Sequence, residues 1–211
     1  MTFKQKIAFE IKNLSLSQGE VYHFKWRCAV RALPFLGYKG NLKFWRGKVK
    51  KQSYLYKVFQ GLDYAYYYKN YSGNTGTSTI DYLADILIDE LGDELTTIYY
   101  ETNDLKITNI TDAINAAISS PIDERVEYAA NAYSFIDASL PISHALFKEN
   151  KLALLMLEDL QNIKKGKIPS LDLAIYGEVW TLFEQVLREA DCAYWWSLYE
   201  SIFANECSQT Y

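Results

Sequence analysis

The stretch LYKVFQGLDYAYYYKNY (Leu55–Tyr71) decides the fold, because its apolar residues recur with the period of an α-helix. At about 100° per residue, and with Leu55 as the reference, six apolar or aromatic positions fall on one side of that helix. They are Leu55, Val58, Phe59, Leu62, Ala65 and Tyr66. The spacing predicts a long helix from about Lys48 to Asn70, one side of which faces a core.

Four further tyrosines of this stretch fall on the opposite side of the predicted helix. They are Tyr64, Tyr67, Tyr68 and Tyr71. In one interpretation the helix is central and packed on both sides, and the hydroxyl groups find hydrogen-bond partners. In the other, the tyrosines form an exposed patch, since tyrosine is enriched at protein–protein interfaces. We therefore count the four as candidate partner-binding residues.

Helical periodicity continues over most of the chain on either side of this stretch. Ser17 and Glu20 have the spacing of a capping box, which opens a helix, and Pro34 predicts that this helix ends or kinks nearby. YSGNTGTST (Tyr71–Thr79) is the clearest break in the pattern. Residues 95–101 contain β-branched and aromatic side chains, which suit either a helix or a short strand.

These patterns predict an all-α fold of seven to nine helices, with one short strand or irregular segment near 95–101 as an alternative. The chain is 49% hydrophobic, enough to bury a substantial core, so disorder is not expected. We expect a single helical domain over residues 1–211. The alternative is a subdivision at the 71–79 loop into a basic part, 1–70, and an acidic part, 80–211.

Charge is distributed very unevenly along the chain. Residues 1–70 contain 14 Lys or Arg and 3 Asp or Glu, a balance of +11. Residues 71–211 contain 8 and 23, a balance of −15, which together give the net charge of −4. Either the two parts pack on each other, or each faces a partner of opposite sign.

The three cysteines are far apart and form no CxxC pair, which is typical of reduced thiols rather than of a disulfide framework. The N-terminus lacks the continuous apolar region of a signal peptide, and no apolar run is long enough to span a bilayer. From the sequence we therefore expect a soluble cytoplasmic protein without a membrane partner.

No motif indicates a cofactor, a metal site or a catalytic centre. GNTGTST resembles a phosphate-binding loop, but Thr77 stands where that loop needs lysine, so we interpret it as a linker. His23 and His144, the two histidines, have no second histidine or cysteine at helical spacing, which argues against zinc. An enzyme with a cysteine–histidine or acidic site assembled in space remains a third hypothesis.

A run of acidic residues follows the 71–79 break. Asp81, Asp85 and Asp89 recur at i, i+4 and i+8 on the side of a predicted helix that faces away from its apolar stripe. Like charges at this spacing repel each other by about 0.2–0.5 kcal/mol per pair. The run is either a solvated face or a surface that attracts a basic protein. Its candidate partner-binding residues are Asp81, Asp85, Asp89, Glu90, Asp93 and Glu94.

The segment 39–51 mixes six basic residues with Phe44 and Trp45, a combination that can bind nucleic acid. With the tyrosines as stacking platforms, this segment supports an alternative function as a nucleic-acid-binding protein. The acidic chain, with an isoelectric point near 5.3, opposes that interpretation. We expect instead that this segment contacts the acidic half or covers a loop.

Three stretches resemble small helical bacterial immunity proteins of polymorphic toxin systems. They are WRCAVRALPFLGY (Trp26–Tyr38), LYKVFQGLDYAY (Leu55–Tyr66) and DCAYWWSLYESIF (Asp191–Phe203). The resemblance implies a cytoplasmic protein that binds a toxin domain delivered by a neighbouring cell, as in contact-dependent growth inhibition. It brings no catalytic motif and no site residues with it.

From the sequence we thus expect a non-enzymatic immunity protein. It would neutralise a cognate toxin, of the nuclease type, by stoichiometric protein–protein binding, as in toxin–antitoxin pairs. The toxin domain is expected to be basic, because the acidic run would attract it. Nucleic acid, metals and cofactors are not expected as ligands.

Overall fold

The computed structural model describes residues 3–34, 48–71, 151–166 and 176–206, and within these ranges it contains six helices and no strand. The helices are α1 (Phe3–Asn13), α2 (Gln18–Ala32), α3 (Lys48–Tyr71), α4 (Lys151–Lys164), α5 (Glu178–Glu189) and α6 (Ala193–Glu206). The predicted all-α class is confirmed for this part of the chain. The segment 95–101, the 71–79 loop beyond Tyr71 and the helices predicted between them lie outside the described residues.

The beginning of α2 is the capping box that its sequence predicts. The backbone N–H of Glu20 donates to Ser17 Oγ at 3.3 Å, and the backbone N–H of Ser17 donates to Glu20 Oε2 at 2.7 Å. Two backbone donors at the helix start are thereby satisfied. At the other end, α2 stops at Ala32, two residues before Pro34.

Helix α2 is the centre of the described core. It packs against α3 and α4, and α4 also packs against α1. The side chains from His23 to Arg31 are all buried, so helix α2 is enclosed on every side along this segment. The buried set includes three charged residues, Lys25, Arg27 and Arg31. Such residues must be paired or hydrogen-bonded when they leave water.

Helix α3 buries the side that its periodicity predicts. Leu55, Val58, Phe59 and Leu62 are fully buried. Tyr66 packs against Trp26 of α2, with ring centroids 5.0 Å apart, but keeps part of its surface in solvent. The apolar stripe is wider than predicted, since Tyr54 is buried as well.

A sharp turn between α5 and α6 brings the last helix back onto the core. Asp191 adopts a left-handed backbone conformation with φ 56°, which aspartate tolerates better than most residues. The backbone N–H of Cys192 donates to the carbonyl of Leu187 at 2.8 Å and closes the turn. Trp196 of α6 consequently packs against Phe183 of α5, edge to face, with ring centroids 5.7 Å apart.

The six helices of the described ranges are 11 to 24 residues long. None of them combines the length and the apolar character that a bilayer-spanning helix needs.

Candidate partner-binding surface

An acidic side chain of α3 is held by two aromatic donors of α6. The indole Nε1–H of Trp195 donates to Asp63 Oδ2 at 2.9 Å, and the hydroxyl of Tyr199 donates to Asp63 Oδ1 at 3.1 Å. Tyr199 and Trp195 lie one helical turn apart on α6, so both can reach the same carboxylate. The Tyr199 hydroxyl is also 3.3 Å from the carbonyl of Phe59, one turn before Asp63.

Aromatic rings pack around the two donors to this carboxylate. Phe59 and Trp195 are stacked, with an interplanar angle of 10° and centroids 5.5 Å apart. Tyr56 meets Trp195 edge to face at 4.7 Å. On the core side, Trp26 meets Tyr199 edge to face at 5.6 Å. Offset-stacked and edge-to-face pairs are favourable ring geometries, so the positions of the donors to Asp63 are fixed by packing.

The outer part of this cluster reaches the surface. Tyr56, Asp63 and Trp195 are each partly exposed, and Tyr194, whose ring centroid is 6.3 Å from that of Trp195, is 71% exposed. We call these four residues the Asp63 patch. Exposed aromatic side chains grouped around a polar one are typical of protein–protein contact sites.

The Asp63 carboxylate is electrostatically unusual. Burial raises its pKa above the ordinary value of 3.8, and the hydrogen bonds from Trp195 and Tyr199 counteract only part of that effect. No ion pair joins Asp63 to a lysine, arginine or histidine in the part of the chain that the structure describes. The patch therefore presents a carboxylate that two neutral donors hold in place and that no cation of the described residues neutralises.

A second polar cluster lies wholly inside the protein. Arg27 and Arg31, one turn apart on α2, both bind Asp159 of α4. Arg27 Nη2 is 3.0 Å from Oδ1, while Arg31 Nε and Nη2 are 2.6 Å and 3.0 Å from the two carboxylate oxygens. All three side chains are completely buried, so this cluster ties α2 to α4 and is not accessible to a partner.

Cysteine and histidine chemistry finds little support in the described residues. Cys28 is fully buried, and burial and the nearby Asp159 carboxylate raise the pKa of its thiol well above 9.0. Burial likewise raises the pKa of Cys192 to about 11. Both thiols are thus protonated at neutral pH, and a protonated thiol is a poor nucleophile. His23 is buried beside Trp26, whereas His144 lies outside the described residues.

No three His, Cys, Asp or Glu side chains within the described ranges come together in a way that could hold an ion.

The acidic run predicted to bind a partner lies outside the described residues. This applies to Asp81, Asp85, Asp89, Glu90, Asp93 and Glu94. Tyr64, Tyr67, Tyr68 and Tyr71 belong to α3, but their side chains are also outside the described part. Of these, Tyr67 follows Asp63 by one helical turn.

The basic segment 39–51 is described only at its end. Residues 39–47 lie outside the described ranges, and Lys50 is exposed. Lys51 lies 3.7 Å from Glu189 of α5. This contact joins the described end of the basic segment to the acidic half, and the expectation for residues 39–47 stays a prediction.

The residues of the Asp63 patch were not predicted as a site. Their carboxylate carried one recognisable signal, since Asp63 is the single acidic residue between Val21 and Thr79. Their aromatic partners belong to the aromatic-rich stretch AYWWSLYE (Ala193–Glu200). Nothing in the sequence indicates that this stretch contacts α3.

Comparison with known proteins indicates neither a family nor a function. No protein-family model matches the chain, and no curated protein and no solved structure is significantly similar to it. Function has to be inferred from the residues and their geometry.

Proposed function

We propose that this protein is a cytoplasmic immunity protein that neutralises a cognate toxin domain by stoichiometric binding. The observation that carries the proposal is the Asp63 patch, a partly exposed group of aromatic side chains around a carboxylate on two packed helices. The partner that we propose is a basic protein domain of the nuclease type.

The composition and rigidity of the patch support a binding role. Tyrosine and tryptophan supply much of the binding free energy in protein interfaces, because they bury a large area at a small cost in side-chain entropy. Tyr56 and Trp195 are held by edge-to-face packing and Asp63 by two hydrogen bonds, so little ordering is needed when a partner arrives.

The three stretches that resemble immunity proteins meet in the described core. Trp26 comes from the first stretch, Phe59 and Asp63 from the second, and Trp195 and Tyr199 from the third. These residues contact one another through ring packing and hydrogen bonds. The described residues of the three stretches therefore meet in one cluster, and the Asp63 patch is its exposed part.

Charge favours a protein partner over a nucleic acid. A half-buried carboxylate with no cation bound to it in the described residues would repel phosphate groups but attract lysine or arginine side chains. The acidic balance of −15 over residues 71–211 acts in the same direction. A basic nuclease domain fits both features.

The proposal predicts that a toxin domain is encoded beside the gene of this protein, and that domain is the partner for the test. Co-expression should protect cells from that domain, and the two purified proteins should form a 1:1 complex in light scattering coupled to gel filtration. Failure to bind that domain would reject the immunity function. Binding to RNA or DNA that weakens steeply with added salt would instead favour the nucleic-acid alternative.

A single substitution tests the role of the patch. Tyr194→Ala should weaken toxin binding by about tenfold or more, because Tyr194 is an exposed aromatic residue at the patch. Phe9→Ala is the matched control, since Phe9 is an exposed aromatic residue of α1, 52% accessible, and should leave the affinity unchanged. Calorimetric titration of both variants measures the difference. Equal affinities of the two variants for the toxin domain would show that the patch is not part of the interface.

A further inference from the structure

The hydrogen bonds to Asp63 leave a defined part of the carboxylate open. An ionised carboxylate offers about four acceptor positions, two on each oxygen. Trp195 occupies one position on Oδ2 and Tyr199 one on Oδ1. One acceptor position therefore remains on each oxygen, and the side chain is partly exposed.

The surroundings of these two positions favour a cation. Both existing donors are neutral, and no described cation pairs with Asp63. The negative charge of the ionised carboxylate is therefore not balanced by a positive charge among the described residues. The ring of Trp195, which donates to Asp63, and that of Tyr56, which packs edge to face against Trp195 with ring centroids 4.7 Å apart, are both partly exposed. Aromatic faces attract cations, most strongly where water is partly excluded.

We infer that the Asp63 patch is a receptor for one arginine side chain of the partner protein, whose guanidinium group binds the two open positions of Asp63 and lies against the rings of Tyr56 or Trp195. This inference rests on the proposed function, because the arginine belongs to the toxin domain. It adds the chemistry by which that partner is recognised.

Arginine fits this site better than lysine for two reasons. A guanidinium group is planar and donates two parallel hydrogen bonds, which suits a carboxylate with one open position on each oxygen. It also stacks on aromatic rings and is less strongly hydrated than an ammonium group. Lysine can satisfy the charge but not the paired geometry.

The inference can be tested without the toxin, using small probes. Nα-acetyl-arginine amide is titrated into ¹⁵N-labelled protein, and the indole N–H signal of Trp195 is followed by NMR after assignment with Trp195→Phe. We expect a saturable shift with a dissociation constant in the millimolar range, as befits a single side chain (about 1 mM corresponds to −4.1 kcal/mol). Nα-acetyl-citrulline amide, which has the same shape without the charge, should bind about tenfold more weakly or not at all.

Asp63→Asn removes the charge while retaining the local hydrogen bonds. The amide oxygen can accept from Trp195, and the amide nitrogen can donate to Tyr199, whose hydroxyl then donates to the carbonyl of Phe59. This variant should lose the preference for arginine over citrulline. Glu200→Gln, a partly exposed acid next to Tyr199 on α6, is the matched control and should keep it.

Several results would overturn the inference. Equal shifts with the arginine and citrulline probes would show that the site does not recognise charge. If the Asp63→Asn variant still preferred arginine over citrulline, the arginine would bind at a site other than Asp63. Equal affinity for Nα-acetyl-lysine amide would exclude guanidinium recognition. Because these measurements do not use the toxin, they separate the two proposals. The arginine site fails if the probes behave alike, whereas the immunity function fails if the toxin domain does not bind.

Discussion

Asp63 loses hydration when the protein folds and gains only two neutral hydrogen-bond donors among the described residues. Burial consequently raises the pKa of Asp63 above its ordinary value. A carboxyl group whose pKa is higher in the folded state favours folding most when it is protonated. Its contribution to stability is thus largest below the unfolded pKa near 3.8 and is lost as the pH rises through the folded pKa.

Asp63→Asn should remove this loss of stability at higher pH, because asparagine carries no charge at any of these pH values. We expect the variant to be more stable than the wild type at neutral pH, and the difference to shrink as the pH falls through the folded pKa of Asp63. Urea unfolding of both proteins over the acidic to neutral range measures the effect. A variant that is less stable at neutral pH would show that hydrogen bonding to the charged form outweighs its desolvation.

At the scale of a helix, the start of α2 depends on a short local motif. Ser17→Ala removes the acceptor for the backbone N–H of Glu20 and should lower the free energy of unfolding by about 1 kcal/mol. Ser53→Ala, at an exposed position in the body of α3, should be neutral or slightly stabilising, since alanine is the better helix former. Denaturant unfolding of both variants tests the cap. Equal stability of the two variants would contradict its role.

The helices themselves could be predicted because their determinants are local. The capping box of α2 and the apolar stripe of α3 each lie within a few turns of one helix, where the sequence period defines the buried side. The buried charges of α2 could not be predicted in this way. Arg27 and Arg31 are paired by Asp159 of α4, which lies 128 residues after Arg31 in the chain.

The Asp63 patch was missed for a related reason. Periodicity shows which side of a helix is apolar, but it does not show which helix covers that side. Asp63 and Trp195 are separated by 132 residues, so their contact is a property of the packing and not of either segment. The predicted candidates were chosen instead from local clusters, the tyrosines of α3 and the acidic run that begins at Asp81.

Across the whole molecule, the two oppositely charged parts of the sequence meet in the described core. Helix α2 belongs to the basic residues 1–70, and α4 belongs to the acidic residues 71–211. Arg27 and Arg31 bind Asp159 across this boundary, and Lys51 approaches Glu189. Part of the charge asymmetry is therefore used inside the fold.

The Arg27–Asp159–Arg31 cluster leads to the last prediction, because it joins the two parts where no water can replace a lost charge. Asp159→Asn leaves two buried guanidinium groups without their carboxylate and should lower the free energy of unfolding by about 3–5 kcal/mol. Glu158→Gln, one residue earlier and exposed on the same helix, should change it by about 0.5 kcal/mol or less. Urea unfolding followed by tryptophan fluorescence compares the two. A small effect of Asp159→Asn would mean that the arginines find other acceptors, and that the union of the two parts does not depend on this cluster.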